Sequence, residues 1–390
     1  MNEYQYFFTP PPPAPPPLPQ DAEMIDPKNP FDNETEFREY NSDYGEIVPQ
    51  IRIPTCRIPL KPNYKESKRI KRYYNVVGAF LLGHFLFAQI FSYVLIQVFY
   101  LILSAVDSYA NGGTLPANYE QIAQDYLSNS SLAIGLNLIC YGVSNVVVAV
   151  LGCKALKIPI PNLFKTENLT AGKEFSYVCI TIFLHLLTSQ ITLLVMTLFD
   201  NVGIDVNTAD TDLSTNGKFL ILSFIYGVII APITEELVMR GFVMKNLSRA
   251  GQRFGIILSA FFFGIWHQNL PQFILAFTVG IFWGYIDIKH NSLIPSIICH
   301  MCANGIVEIS NIFQTFGMET VTTLIEVLYV TVALIGLILI VKMFIMERLP
   351  YAMPEQSERG LRLALTSPLL MIALVLNISA AVYYVLLMNS

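Results

Sequence analysis

Long apolar segments constrain this chain more than any other feature of its sequence. Hydrophobic residues occupy 53% of the 390 positions, and charged residues only 14%. A helix needs roughly 20 apolar residues to cross the hydrocarbon core of a bilayer. Inside that core every backbone polar group must be hydrogen-bonded within the protein, and a single segment achieves this only as a helix. The chain is therefore predicted to be an all-α polytopic membrane protein with about 8–9 transmembrane helices.

Nine segments are long and apolar enough to be considered as spans. They are 76–106, 131–152, 175–199, 219–242, 254–267, 273–288, 293–313, 321–346 and 363–388. The fifth and sixth are short, so we expect them either to tilt or to form a hairpin shielded by neighbouring helices. The spans divide the chain into a tail at 1–72, N-terminal transmembrane helices at 73–217, a helical core at 218–315 and C-terminal transmembrane helices at 316–390.

The charges of the loops predict the orientation of these spans. Alternate loops, at 107–130, 200–217, 268–272 and 314–320, contain no Lys or Arg, whereas the loops between them do. Lys and Arg accumulate in the cytoplasmic loops of membrane proteins. We therefore predict a multi-pass protein of the cell membrane with its N-terminus in the cytoplasm and its C-terminus outside.

Residues 1–72 are predicted to form a disordered cytoplasmic tail with two parts. Residues 1–50 contain a proline tract and an excess of Asp and Glu, a composition with no apolar face to bury. Residues 51–72 are basic, as expected of a segment that precedes a first membrane helix from the cytoplasmic side. The proline tract is either a docking motif for a protein partner or a semi-rigid spacer.

Ionisable residues inside the apolar segments mark a candidate functional site. Glu235, Glu236 and Arg240 lie in the fourth segment, His267 in the fifth and His300 in the seventh. A charge at the centre of a bilayer costs at least about 2.5–3.5 kcal/mol, so such residues are rare unless they have a function. Their occurrence on three segments that are close in sequence predicts one shared site.

Helical spacing gives the two adjacent glutamates different roles. Residues four apart share a helix face, so Glu236 and Arg240 can neutralise each other as structural support. Glu235 is rotated by about 100° from Glu236 and has no such partner in its own segment. Because a carboxylate without a partner can accept a proton, Glu235 is the candidate general base.

Two further pairs at the same spacing extend the candidate site. Phe263 and His267 share one helix face, and His300 and Asn304 share another. His267 can help Glu235 to hold a water molecule, either directly or through a metal. His300 and Asn304 can donate hydrogen bonds to the oxyanion that forms when water attacks a carbonyl group.

The other histidines and the membrane cysteines are predicted to be structural. His84 and His185 lie on spans without such neighbours and are expected to make hydrogen bonds between helices. His290 lies in a cytoplasmic turn and is expected to be solvated. Cys299 and Cys302 flank His300, but two cysteines at helical spacing are more often packing residues than part of a closed metal site.

The order of these residues resembles a known family. Glu235-Glu236-x-x-x-Arg240, Phe263-x-x-x-His267 and His300-x-x-x-Asn304 are similar to the three motifs of the CAAX-prenyl and bacteriocin-processing (Abi) intramembrane endopeptidases. The resemblance covers about 219–313. It implies an endopeptidase in which Glu235 and His267 activate the attacking water, while His300 and Asn304 line the oxyanion site.

The sequence leaves the metal dependence of such an enzyme open. Glu235, His267 and His300 can supply three ligands to a divalent metal such as zinc and leave a fourth position for water. However, a His300 that donates a hydrogen bond to the oxyanion cannot bind the metal at the same time. A metal-free glutamate mechanism is the alternative.

The resemblance favours hydrolysis of a membrane-associated peptide or protein, in a bacterial plasma membrane, with no nucleic acid as partner. Two other classes of protein explain the same buried residues. One is a transporter or an ion or proton relay, which often shows two related halves. No second copy of the Glu-Glu-Arg pattern occurs in this chain. The other is a non-catalytic membrane scaffold that presents the proline-rich tail to a partner.

Overall fold

The computed structural model describes residues 64–110, 121, 131–204, 220–346 and 354–388. Within these residues every regular element is helical, which confirms the predicted all-α class. Ten helices follow one another along this part of the chain: α1 (Tyr64–Ala110), α2 (Ser131–Ala155), α3 (Ala171–Asp200), α4 (Leu220–Ala250), α5 (Gln252–Trp266), α6 (Leu270–His290), α7 (Ile294–Thr315), α8 (Glu319–Met346), α9 (Pro354–Leu365) and α10 (Pro368–Met388). The predicted disorder of residues 1–63 lies outside the described residues.

Most of these helices are long enough to cross a bilayer. Among the described residues, seven helices have the length and hydropathy of a membrane span. The pair α9 and α10 counts as an eighth candidate span, although the two are bent by 79°. Helix α5 has only 15 residues, fewer than a crossing needs. The chain is therefore polytopic, as predicted.

The last predicted span, 363–388, is interrupted in the structure. Helix α9 ends at Leu365 and α10 begins at Pro368. A proline has no N–H and disfavours helical backbone in the residue before it, here Ser367. The Ser367 hydroxyl donates to the Leu363 carbonyl at 2.8 Å and so satisfies a carbonyl near the end of α9. This proline sets the position of the break.

Helix α1 begins earlier than its apolar run. Residues 64–72, which were predicted as part of the tail, are helical in the structure. Ile70, Tyr74 and Val77 lie at helical spacing and are at most 4% exposed, so packing continues through the basic segment. Lys and Arg are also good helix formers. The helix therefore extends out of the apolar segment into the charged one.

Helix α4 lies at the centre of the protein. Residues 236–247 are buried throughout, and they contact α2, α5 and α6. Two glycines on α6 permit the close approach. A Cβ atom on Gly280 would lie 3.1 Å from Nη2 of Arg240, and one on Gly284 would lie 2.9 Å from Sδ of Met244. Glycine at both positions thus brings α6 against the part of α4 that carries the candidate site.

Candidate active site on helices α4 to α7

The two adjacent glutamates lie between two π-helical parts of α4. Ile225–Ile230 and Leu237–Met244 are π-helical, and Ala231–Glu236 between them is α-helical. π-Helical turns inside α-helices are uncommon and frequently occur at functional sites. Pro232 contributes to the irregularity because it cannot donate a backbone hydrogen bond.

Glu236 and Arg240 form a fully buried ion pair. Both residues are 0% exposed. Nη1 of Arg240 lies 3.1 Å from each of the two carboxylate oxygens of Glu236. The guanidinium carbon lies 4.4 Å from the centre of the Phe263 ring and 5.4 Å from that of Trp283. The charge of Arg240 is therefore balanced by one carboxylate and two aromatic faces.

His300 also binds Glu236. Its Nδ1 atom donates to Oε1 of Glu236 at 3.0 Å, and its ring stacks on Trp283 with the centres 4.6 Å apart. Glu236 therefore joins the first sequence motif to the third. Because Nδ1 is engaged, only Nε2 of His300 remains for another hydrogen bond.

Phe263 is the contact shared by all three motifs. Its ring lies beneath the Arg240 guanidinium, 5.1 Å from the ring of His267 and 6.1 Å from that of His300, measured between centres. Both histidine rings meet it edge-on, an arrangement that aromatic rings favour. Phe263 thus fixes the spacing between the second and third motifs.

His267 ends α5 with a defined tautomer. Its Nδ1 atom lies 2.8 Å from the carbonyl oxygen of Phe263. A carbonyl can only accept, so Nδ1 carries the hydrogen and Nε2 of the neutral ring carries the lone pair. The side chain is half-buried rather than sealed in the core. His267 can therefore accept a hydrogen bond at Nε2 from a water molecule.

Asn304 donates a hydrogen bond to a carbonyl of α4 that has no backbone donor. The N–H of Ala231 donates to the carbonyl of Tyr226, five residues back. In that register the carbonyl of Gly227 would be bonded by residue 232, but Pro232 has no N–H. Nδ2 of Asn304 donates to the Gly227 carbonyl at 2.8 Å instead. One amide hydrogen of Asn304 is thus used to join α7 to α4, and the second remains.

Glu235 differs from Glu236 in its surroundings. Its side chain is half-buried, and it makes no hydrogen bond or ion pair with any described residue. Tyr226, which lies in the preceding π-helical segment of α4, interacts with it electrostatically. The two carboxylates therefore differ: Glu236 is bound by two partners, and Glu235 makes no hydrogen bond or ion pair with the described residues.

The described residues do not form a metal site. No group of three or more His, Cys, Asp or Glu side chains in this part of the chain is arranged to hold a metal ion. His300, one of the three predicted ligands, directs Nδ1 at Glu236. Because the donor set required for zinc does not converge, we derive no step through a metal. The predicted metal ligation by Glu235, His267 and His300 stays a prediction.

The segment that carries the three motifs matches a known family. Residues 217–306 match the family model described as type II CAAX prenyl endopeptidase Rce1-like. The predicted family resemblance is confirmed. The match covers just under a quarter of the chain, and it supports an intramembrane endopeptidase of the CAAX type in general. No curated protein and no solved structure matches the chain.

Two residues of the Rce1-like segment were not predicted from the sequence. Trp283 stacks on His300 and faces Arg240, as described above. Asp287, one turn later on α6, is 0% exposed and accepts hydrogen bonds from the backbone N–H and the hydroxyl of Ser296 at 3.1 and 2.7 Å. A charged residue within the apolar segment 273–288 was the available signal for Asp287. Trp283 had no comparable signal.

A series of side-chain hydrogen bonds links α1 and α2, which lie outside the Rce1-like segment, to α4. Nε2 of His84 on α1 donates to Oδ1 of Asn145 on α2 at 2.8 Å, and Nδ2 of Asn145 donates to the hydroxyl of Thr234 at 3.2 Å. The His84 ring also meets Trp266 edge-on, with the centres 4.3 Å apart. Helices α1 and α2 therefore contact the residues that precede Glu235 and His267 in the chain.

The remaining histidines fall into two groups. His185 makes the predicted hydrogen bond between helices, from Nδ1 to the hydroxyl of Tyr329 at 2.8 Å. The prediction that His290 is solvated is wrong, because it is 1% exposed. Its ring is bound by the hydroxyl of Tyr177 at 2.9 Å and by the carbonyl of Glu167 at 2.8 Å. A loop that folds back over the end of α6 covers it, and sequence spacing does not reveal such a loop.

Cys299 and Cys302 lie apart from the candidate site. Cys299 is buried and Cys302 is exposed. The Sγ atom of Cys299 lies 3.8 Å from Oε1 of Glu174 on α3, on another side of α7 from the Glu236 contact of His300. Within the described chain these thiols are not part of a metal-binding group.

Proposed function

We propose that this protein is an intramembrane endopeptidase that hydrolyses a peptide bond of a membrane-associated peptide or protein. One contrast carries the proposal: Glu236 is bound by Arg240 and His300, whereas Glu235 beside it makes no hydrogen bond or ion pair with any described residue. A general base needs a carboxylate that can take a proton from water, and the absence of a hydrogen bond or ion pair supports Glu235 rather than Glu236 in this role.

The proposed first step uses Glu235 and His267 on one water molecule. Nε2 of His267 accepts one hydrogen bond from the water, which orients it. Glu235 removes the other proton as the water oxygen bonds to the carbonyl carbon of the substrate. The carbonyl π electrons move to the oxygen and form the oxyanion.

His300 and Asn304 are the proposed donors to that oxyanion. With Nδ1 held by Glu236, His300 donates through Nε2 when the ring carries both protons, and Glu236 then balances its charge. The second amide hydrogen of Asn304 is the other donor. The oxyanion then collapses, the C–N bond breaks, and Glu235 returns its proton to the leaving nitrogen.

The proposal extends to the setting of the reaction. The loop charges favour a cytoplasmic N-terminus, and the resemblance favours a bacterial plasma membrane. The family model that matches the chain is named for CAAX prenyl endopeptidases, so a peptide that ends in a CAAX sequence is the first substrate to test. Farnesylated and unfarnesylated forms of that peptide will show whether the lipid is required.

The test is cleavage by the purified full-length protein in liposomes, measured with an internally quenched CAAX peptide. Glu235→Gln and His267→Gln should each lower kcat by about 10²–10⁴-fold, the usual contribution of general acid–base groups. Matched controls are Glu319→Gln at the start of α8 and His185→Gln on α3, which should keep wild-type rates. Full activity of Glu235→Gln in a folded preparation would contradict the proposal.

A further inference from the structure

A cleft between the start of α1 and the start of α10 lies outside the Rce1-like segment. Its volume is about 670 Å³, within the range of clefts that bind small molecules. Asn75 accepts a hydrogen bond from the backbone N–H of Leu369 at 3.0 Å. A Cβ atom on Gly78 would clash with the backbone of Leu369, so the two helices are in direct backbone contact here. The cleft is therefore a fixed part of the helix packing.

One end of this cleft is strongly cationic. Lys68, Arg69, Lys71 and Arg72 all line it, and no acidic residue does. In the described part of the chain no carboxylate pairs with Lys68, Lys71 or Arg72. The start of α10 adds the positive end of a helix dipole. An anion is the ligand that this end of the cleft can neutralise.

The other end of the cleft is apolar. Val76, Ala79 and Leu369 line it, and Asn75 lies between them and the cationic end. From Arg72 to Ala79 the helix rises about 10 Å. Polarity therefore changes along the cleft from cation to amide to hydrocarbon.

This order matches the orientation of a phospholipid in the bilayer. The apolar end points along α1 towards the membrane interior, and the cationic end lies where α1 leaves its apolar run. The loop charges predict that the starts of α1 and α10 share one side of the membrane, and the structure has them in contact. The parts of a phospholipid would lie in the same order along the cleft. Its phosphate would lie at the basic residues, its ester groups near Asn75, and an acyl chain against Val76 and Leu369.

We propose that this cleft binds one anionic phospholipid, with its phosphate among Lys68, Lys71 and Arg72 and its acyl chain along Ala79 and Leu369. The charge explains the preference for an anionic headgroup, since each Lys or Arg near a membrane surface adds to the attraction. The apolar wall explains why a lipid, rather than a soluble anion, fills the cleft. The site is independent of peptide cleavage.

The test is lipid retention by the full-length protein, measured by native mass spectrometry with dioleoyl phosphatidylglycerol and dioleoyl phosphatidylcholine. The wild type should retain one phosphatidylglycerol more tightly than phosphatidylcholine. The triple variant Lys68→Gln, Lys71→Gln, Arg72→Gln should weaken that binding by at least about tenfold. The matched control removes three basic residues elsewhere: Lys154→Gln, Lys157→Gln, Lys165→Gln. It should bind like the wild type.

A second variant separates a lipid from a soluble anion. Ala79→Trp keeps every charge but fills the apolar end, so it should also release phosphatidylglycerol. Equal loss in the triple variant and its control would show a general charge effect and overturn the proposal. If inorganic phosphate displaces phosphatidylglycerol and Ala79→Trp does not weaken its binding, the cleft is a site for a soluble anion. Displacement by an acidic peptide of residues 21–50 would make the chain's own tail the occupant, and either result overturns the lipid assignment.

Discussion

The buried pair of Glu236 and Arg240 allows a quantitative test of the division of roles at the site. Replacing Arg240 by Met keeps the side-chain length and removes the charge, which leaves the Glu236 carboxylate 0% exposed with His300 as its remaining partner. Breaking a buried pair by removing one member costs about 3–5 kcal/mol. The guanidinium also leaves the face of Phe263, a contact worth about 2 kcal/mol or more when desolvated.

The double variant should recover part of this loss. Nε and Nη2 of Arg240 are buried without hydrogen-bond partners among the described residues, so the pair already carries a desolvation cost. Glu236→Gln alone should also destabilise. It removes the charge that balances Arg240, and it puts an amide NH₂ donor where Oε2 now lies 3.1 Å from Nη1 of Arg240. Combining Glu236→Gln with Arg240→Met should cost less than the sum of the two, with a coupling energy of about 0.5–3 kcal/mol.

The assay measures unfolding in detergent through the reactivity of buried thiols. Cys153 and Cys299 are 0% exposed and become accessible to a thiol-reactive dye only when the packing opens. Arg240→Met should expose them at a clearly lower temperature or denaturant concentration. Unchanged unfolding together with lost cleavage would refute the reasoning, because Arg240 would then act in the chemistry rather than in support of Glu236.

Two further predictions concern contacts between helices. Gly336→Ala should destabilise the protein by about 1–3 kcal/mol, because the new methyl group meets the Cys179 carbonyl on α3. Gly83→Ala is the control, because Gly83 has open space around it and the substitution should not destabilise. Thermal unfolding of the two variants measures the difference. Asn145→Leu should lower the free energy of unfolding by about 1–3 kcal/mol, because it leaves the buried His84 N–H without its acceptor. The thiol-exposure assay measures this loss. Unfolding of Asn145→Leu at the wild-type temperature would show that this series of hydrogen bonds contributes nothing.

Local features of the site followed from the sequence. The contact between Glu236 and Arg240 is four residues apart on one helix, so its geometry is set by the helix itself. The same holds for Phe263 and His267, whose hydrogen bond spans one turn. The family resemblance also followed, because it depends only on the order of such motifs.

Contacts between helices could not be predicted in the same way. His300 binds Glu236 rather than Glu235, because α7 packs on the buried face of α4. Asn304 contacts the carbonyl of Gly227, a partner that exists only because α4 changes its hydrogen-bond register before Pro232. Spacing along one helix contains no information about which face of another helix it meets.

The sequence by itself determined the class of this protein, because a chain with this many apolar segments satisfies its backbone in lipid only as helices. It also determined which residues are costly to bury. The tertiary structure decided how that cost is met. It gave Glu236 two cationic or proton-donating partners, covered His290 with a loop, and left Glu235 without a hydrogen bond or ion pair in the described chain. These outcomes depend on contacts between residues distant in sequence, which only packing creates.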